Sequence, residues 1–181
     1  MEPTAEIDFV TALGRLLQSG ALRDAFAADA AEVARQIGVR ESECVAFAQL
    51  VPAELEAQAV VLLKKRFDLV RRGLPQTCRA LGDEGREAWK VFRGYARERW
   101  PNQKNAVADD ALGFCEAVQL TRPDAVCRIE YHRVRFLCDG SRWSVRWLAA
   151  VPFRNGFRPG VQIFLRGRSA RWHEWVVFAG A

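Results

Sequence analysis

Residues 133 to 151 carry the pattern that decides the fold, and they read RVRFLCDGSRWSVRWLAAV. Apolar side chains alternate with other residues on both sides of Asp139-Gly140, a dipeptide typical of a two-residue hairpin turn. This pattern predicts a strand over residues 133 to 138, paired with a second strand over residues 142 to 151. We expect the tryptophans of the second strand to face the core and its arginines to line the other face.

The segments on either side of this hairpin extend the predicted sheet. Residues 161 to 165 and 172 to 178 alternate in the same way, which predicts two further strands after a loop over residues 152 to 160. Cys127, Ile129 and Tyr131 are out of phase with the first strand, so a bulge or strand break is expected near His132. The C-terminal part is therefore expected to be an antiparallel sheet of four or five strands.

The chain before residue 121 has the helical period instead. Apolar residues recur at intervals of three and four, Asp29 and Gly38 suit the two ends of a short helix, and Pro52 suits the start of a long one. The pattern predicts six or seven helices joined by short loops. The expected fold class is α+β, with a helical domain over residues 1–120 and an arginine- and tryptophan-rich antiparallel β domain over residues 121–181.

Charge is distributed unevenly along the 181 residues, whose net charge is +5. Up to Leu120 there are 16 lysines and arginines against 18 acids, whereas Thr121 onward has 11 arginines against 4 acids, a net charge of +7. The basic run at residues 64 to 66 lies among acids on the long helix and is expected to face solvent.

The composition also excludes several classes of protein. Half the residues are hydrophobic, which excludes a wholly disordered chain or a collagen-like repeat. No apolar run approaches the roughly 18 to 20 residues that cross a bilayer, and the first residues do not have the pattern of a secretory signal. We expect a cytoplasmic protein whose five cysteines are reduced.

Few groups in the sequence suit catalysis. The two histidines, His132 and His173, do not stand at zinc-like spacing, and neither phosphate-binding glycine motif occurs. Cys127 and Cys138 have arginine neighbours that would favour a thiolate, yet both are in phase with apolar residues of the predicted strands, which favours burial. We therefore expect no catalytic residue, no metal ligand and no cofactor in this chain.

The candidate binding residues are the arginines and tryptophans of the predicted sheet. Such a face can hold nucleic-acid phosphates and stack on bases, or it can bind an acidic peptide that pairs with an open strand edge. Alternatively, arginine is only the surface cation here and the tryptophans form core, although +7 on about 60 residues exceeds what solubility requires. The candidates are Arg133, Arg135, Arg142, Trp143, Arg146, Trp147, Arg166, Arg168 and Arg171.

Short strings in the helical part resemble a family of partner proteins. The strings are Leu22-Arg23-Asp24-Ala25-Phe26 followed by Asp29, Leu74-Pro75-Gln76-Thr77-Cys78-Arg79, Phe92 with Tyr95-Ala96, Trp100-Pro101, and Asp110-Ala111 before Phe114. They resemble the MbnC-like partner subunits of multinuclear non-haem iron oxidases, which act in methanobactin and related ribosomal-peptide natural-product biosynthesis. The resemblance covers about residues 5 to 120. Some relatives carry a DNA-binding label for a similar helical region.

This resemblance implies a heterodimer with an iron-containing TIM-barrel oxidase that uses oxygen to modify cysteines of a ribosomal precursor peptide. In methanobactin biosynthesis the products are oxazolone and thioamide groups, and the mature compound chelates copper. The iron would belong to the partner subunit, against which the helical domain would dock. The sheet would help to hold the leader of the precursor peptide by strand addition. The alternative function is that of a nucleic-acid-binding regulatory protein that uses the basic β face.

Overall fold

The structure is a computed structural model that describes residues 6–82, 85–121, 125–154, 156–167 and 171–178. Within these ranges nine α-helices precede a three-stranded antiparallel sheet. The helices are α1 (Phe9–Gln18), α2 (Gly20–Ala28), α3 (Ala30–Ile37), α4 (Glu41–Ala48), α5 (Pro52–Gly73), α6 (Pro75–Ala80), α7 (Arg86–Ala96), α8 (Ala106–Thr121) and α9 (Ala125–Asp139). The strands are β1 (Trp143–Phe153), β2 (Gly156–Arg166) and β3 (Trp172–Phe178).

The helix-rich architecture with a C-terminal antiparallel sheet confirms the expected fold class in outline. The expected four or five strands are wrong in number, because the described residues form three. Across the same residues, no single helix has the length and apolarity to cross a bilayer, and α4 with α5 meets that test only as a pair bent by 88°.

Contacts divide the chain into two compact units. The first consists of Met1–Lys65 with Ala96–Trp100, and the second of Arg66–Tyr95 with Pro101–Ala181. The boundary expected at residue 121 rests on composition and stays a prediction, and residues 122–124 lie outside the described ranges.

The first unit contains four short helices, α1 to α4, and Phe47 lies in its core. Asp29 accepts a hydrogen bond from the Glu32 amide where α3 begins, and Gly38 ends that helix with φ of 79°, as the sequence predicts. The rings of Phe9 and Phe26 meet Phe47 edge-on at centroid distances of 6.0 and 5.4 Å. Edge-to-face aromatic contacts add to the burial energy of such a small core.

The second unit has an aromatic core of its own. The Phe67 ring lies 5.3 Å from that of Phe92 and 6.3 Å from that of Phe114. Arg66, which the sequence predicts on a solvated face, instead holds the buried Asp110 carboxylate through Nε at 2.9 Å and Nη2 at 2.7 Å. That expectation is wrong for Arg66, because consecutive helix residues project about 100° apart and Arg66 lies on the side of α5 that faces Asp110.

Helix α9 occupies the residues for which the sequence predicts the first strand of the hairpin. The predicted hairpin turn at Asp139-Gly140 is the end of this helix, and the predicted break near His132 is also wrong. On one side of α9 the Phe136 ring stacks on Phe164 of β2 at 4.9 Å, and on another side the buried Cys127 approaches the Cys115 carbonyl of α8 at 3.6 Å. A helix that is covered on two sides has apolar residues on both of those sides. In the sequence these residues can fall at every second position, which resembles the alternation of a strand.

The sheet itself follows the chain order β1-β2-β3. β1 pairs with β2 from Trp143↔Leu165 to Phe153↔Gly156, with an irregularity between Leu148 and Val151. The loop predicted over residues 152 to 160 is wrong, since these residues mostly continue the two strands. The strands predicted at residues 161 to 165 and 172 to 178 are confirmed, and they pair without interruption.

Candidate binding surface

One face of the sheet presents a continuous set of mainly apolar side chains. Cross-strand partners place three residues in each of three rows, and partners in register project from the same side of a sheet. The rows are Trp143, Leu165 and His173; Val145, Ile163 and Trp175; and Trp147, Val161 and Val177. We call these nine residues the open face.

Exposure distinguishes this face from an ordinary sheet surface. Trp143 and Trp147 are 68% and 64% exposed, and Leu165, Trp175 and Val177 are also exposed. Isolated exposed apolar residues are common on proteins, but a contiguous patch of this kind marks an interaction surface.

The prediction that the two tryptophans of β1 face the core is therefore wrong. Trp143 and Trp147 point away from the core, whereas Leu148, Gln162 and Phe164 are buried on the other side of the sheet, against which α9 packs. Alternation in β1 defines two faces correctly, but it does not show which face a helix covers. The missing helix in the prediction is the cause of the error.

The covered side of the sheet contains a polar network that uses Arg133. The Gln162 amide donates from Nε2 to the Ile129 carbonyl of α9 at 3.0 Å and to the Glu174 carboxylate at 2.8 Å. Arg133 donates to the same carboxylate from Nε at 2.6 Å and from Nη2 at 3.2 Å. Arg133 thus joins α9 to β3, which is a structural role, and its expected part in ligand binding stays a prediction.

Arg166 is used in the same way. Its Nη2 donates to the carbonyls of Phe136 and Leu137, at 3.0 and 3.2 Å, in the last turn of α9. Its guanidinium lies 5.2 Å from the Phe136 ring centre. A cation that satisfies terminal carbonyls stabilises the end of a helix, so this predicted site residue also holds the fold together.

The other predicted arginines are spread over several positions. Arg135 lies on α9, where it donates to the Tyr131 hydroxyl at 3.2 Å, and Arg146 lies on β1 opposite Gln162. Arg142 and Arg171 are exposed residues that precede β1 and β3, and Arg168 lies outside the described residues. The structure therefore places Trp143 and Trp147 of the predicted set on one face of the sheet. The described arginines of the set do not form a single group, although Arg135 and Arg146 both lie in the region where α9 packs on β1.

Sequence reasoning missed the members of the open face on β2 and β3. Trp175 and Val177 are exposed there, and the exposed His173 ring stacks on Trp175 at 5.6 Å. The signal was the same alternation that predicted these strands. The apolar residues of these two strands were not among the predicted binding residues, since burial is the ordinary place for such residues.

The second histidine lies in a different environment. His132 on α9 is half-buried, and its pKa is lowered from the usual 6.5, first by burial and then by the positive charges of Arg146, Arg135 and Arg128. Its Nδ1 atom is buried and makes no hydrogen bond within the described part of the chain. Among those same residues, no three or more histidine, cysteine, aspartate or glutamate side chains lie together in a group that could hold a metal ion.

The outer strands differ in how well they suit a further strand. β1 has a register irregularity after Leu148 and contains Pro152, and both features weaken an edge as a pairing template. β3 pairs regularly along its whole length and contains no proline. Among the described residues β3 has one strand neighbour, β2, so its other edge is the better candidate for strand addition.

Comparison with known proteins adds no relative to this description. No protein-family model, no curated protein and no solved structure matches the chain.

Proposed function

We propose that this chain is a non-catalytic subunit that holds an extended peptide on its sheet for a peptide-modifying enzyme. The observation that carries the proposal is the open face, with its exposed tryptophans Trp143, Trp147 and Trp175. Tryptophan is enriched at protein–protein and protein–peptide contacts, because a large rigid ring buries much apolar area at low entropic cost.

An extended peptide fits this surface in a defined way. Its backbone would pair with the outer edge of β3, and every second side chain would turn toward the same side as the open face. His173, Trp175 and Val177 are the β3 residues on that side and would meet those side chains first. The backbone hydrogen bonds would supply affinity, while the apolar rows would favour a peptide with alternating apolar residues.

The open face favours a peptide over a nucleic acid. Valine, isoleucine and leucine lie between its tryptophans, and aliphatic side chains do not provide the continuous stacking platform that single-stranded bases use. Arg133 and Arg166 are engaged by Glu174 and by helix carbonyls on the covered side. Two arginines of the basic β face expected of a nucleic-acid-binding regulator therefore make structural contacts within the protein.

The enzyme in this proposal is an iron-containing oxidase of TIM-barrel fold, and the peptide is a ribosomal precursor held by its leader. The support is the resemblance of the helical strings to MbnC-like partner subunits. In that arrangement the iron belongs to the partner, and the product is a modified peptide such as a methanobactin, whose cysteines become oxazolone and thioamide groups. The proposal places the complex in the cytoplasm, where precursor peptides are made.

The test is affinity purification of the tagged full chain from its own cells at moderate salt, followed by mass spectrometry and iron analysis. We expect an iron protein at equal stoichiometry and a co-purifying peptide. In the double variant Trp147→Ala/Trp175→Ala, we expect peptide recovery to fall at least tenfold while the iron protein is retained. Val10→Ala, which changes an exposed apolar residue outside the sheet and outside the strings of the resemblance, is the control and should retain both.

Two results would overturn the proposal. One is full peptide recovery by the double variant, which would remove the open face from the binding surface. The other is recovery of nucleic acid that is lost at higher salt, without an iron protein, because counterion release makes nucleic-acid binding steeply salt-dependent.

A further inference from the structure

A group of arginines lies on α9 away from the open face. Arg128, His132 and Arg135 stand at positions i, i+4 and i+7 of the helix, a spacing that places them on one side. Arg128 and Arg135 are exposed, and His132 is half-buried between them along the helix. Tyr131, which accepts a hydrogen bond from Arg135, lies next to this row.

Strand β1 adds a third arginine to the same region. Arg146 pairs in register with Gln162, and the Gln162 amide contacts the Ile129 carbonyl, so Arg146 projects from the side of the sheet that α9 covers. On α9, Phe136 packs on β2 and Arg133 reaches Glu174 of β3, so the neighbouring row of Arg128, His132 and Arg135 lies toward β1, which carries Arg146. In agreement with this placement, the charges of all three arginines lower the pKa of His132. We call Arg128, Arg135, Arg146 and His132 the α9–β1 cluster.

The acids near this cluster are already bound elsewhere. The Glu174 carboxylate is held by Arg133 and Gln162, and Glu130 accepts hydrogen bonds from the amides of Gln76 and Thr77 at 3.0 and 2.8 Å. Within the described residues, no ion pair joins Arg128, Arg135 or Arg146 to a carboxylate. The cluster therefore gathers three positive charges with no acid to offset them, a pattern that concentrates anions from solution.

We propose that Arg128, Arg135 and Arg146 bind an oxyanion beside His132, at the place where α9 packs on β1. Guanidinium groups bind carboxylate and phosphate oxygens through paired, charge-assisted hydrogen bonds, and these are the strongest contacts that arginine makes. The ligand chemistry is an oxyanion, supplied either by free phosphate or by a carboxylate of an acidic peptide. The site is independent of peptide binding on the open face, because it lies on the other side of the sheet.

The experiment follows the His132 imidazole of the full chain by NMR while inorganic phosphate is added, with sodium chloride adjusted to keep the ionic strength constant. A second titration uses triglutamate, which supplies carboxylates without phosphate. We expect a saturable shift of the His132 resonance and a rise of its pKa, because a bound anion offsets the arginine charges. His173, which lies on the open face, is the internal reference and should not respond.

The two titrations identify the source of the oxyanion. Saturation by phosphate alone assigns the site to free phosphate. Saturation by triglutamate alone assigns it to peptide carboxylates. Saturation by both shows that the site binds oxyanions of either kind. If neither ligand gives a saturable shift beyond that of sodium chloride, the proposal is wrong.

Single variants establish which residues form the site. Arg128→Gln and Arg146→Gln should each weaken the saturating ligand at least fivefold, while Arg154→Gln should leave its affinity unchanged. Arg154 is an exposed arginine that follows β1 and contacts the Phe153 ring, so it controls for loss of one positive charge. Equal weakening by all three variants would show a general charge effect and overturn the assignment to the α9–β1 cluster.

Discussion

The guanidinium of Arg133 and the carboxylate of Glu174 form a two-point ion pair that joins α9 to β3, with distances of 2.6 and 3.2 Å. The Arg133 side chain is 27% exposed and that of Glu174 14%, so water screens the pair only in part. Removing one partner of such a pair leaves the other charge poorly solvated.

Arg133→Gln should therefore lower the free energy of unfolding by about 1–3 kcal/mol, measured by urea denaturation. Arg135→Gln, a change of the same type at an exposed position on the same helix, should alter it by less than about 0.5 kcal/mol. A double-mutant cycle with Glu174→Gln isolates the coupling between the two side chains. If Arg133→Gln leaves the stability unchanged but weakens peptide binding, the main role of Arg133 is ligand binding and not the contact between α9 and β3.

The fully buried Glu130 provides a second test of the α9 assignment. Its carboxylate accepts hydrogen bonds from the Gln76 and Thr77 amides, which belong to the first turn of α6, and from the Thr77 hydroxyl. Glu130→Gln replaces a charged acceptor that also suits the positive end of the helix. We expect a loss of about 1–3 kcal/mol by urea denaturation.

Glu116→Gln on α8 is the control, because that side chain is exposed. A strand in place of α9 would not predict this difference between the two glutamates, so equal stabilities of the two variants would count against the helix.

The stability of the protein should decrease in mild acid because of His132. Its native pKa is lowered by burial and by Arg146, Arg135 and Arg128, so the unfolded chain takes up a proton first as the pH falls through about 6.5. The stability contributed by neutral His132 is present above this pH and is lost below it. His132→Gln should reduce the loss measured by urea denaturation between pH 7.5 and 5.5, whereas His173→Gln should not. The same loss in both variants would contradict this prediction.

Thiol reactivity should separate the buried cysteines from Cys138. Burial, with a further contribution from the charge of Glu130, raises the pKa of Cys78 to about 11. A hydrogen bond with Cys127, followed by burial, also raises the pKa of Cys115. At pH 8 iodoacetamide should modify the exposed Cys138 first, while Cys78, Cys115 and Cys127 stay protected, as read by mass spectrometry.

In urea all five cysteines should react, which provides the control for reagent activity. Because the unfolded Cys78 ionises near pH 9 and the folded one near 11, its contribution to stability should fall as the pH rises between these values. Cys78→Ala should reduce that alkaline loss. Rapid modification of Cys78 in the native protein would show that this region opens readily.

The sequence predicted helices most reliably where one face is buried and the ends carry clear caps, as in α3 with Asp29 and Gly38. It failed at α9, because Phe136 packs on the sheet while Cys127 and Glu130 pack toward other helices. Periodicity measures how often apolar residues recur, and a helix buried on two sides gives a mixed signal.

The candidate site was predicted in part for a related reason. Alternation places Trp143 and Trp147 on one face of β1, and the structure agrees on that point. Which face is covered depends on α9, and the roles of Arg133 and Arg166 depend on partners more than 25 residues away, Glu174 and the Phe136 carbonyl. Such tertiary contacts leave no local pattern in the sequence around each arginine.

The buried amide of Gln162 holds α9 by a main-chain carbonyl, that of Ile129, rather than by a side chain. Every residue type at position 129 supplies this acceptor, so the hold does not depend on which amino acid stands there. Exposed positions of α9, such as Arg128 and Arg135, take no part in this contact between the helix and the sheet. Substitutions at these exposed positions can therefore change the proposed anion specificity while the contact between Gln162 and the Ile129 carbonyl is kept.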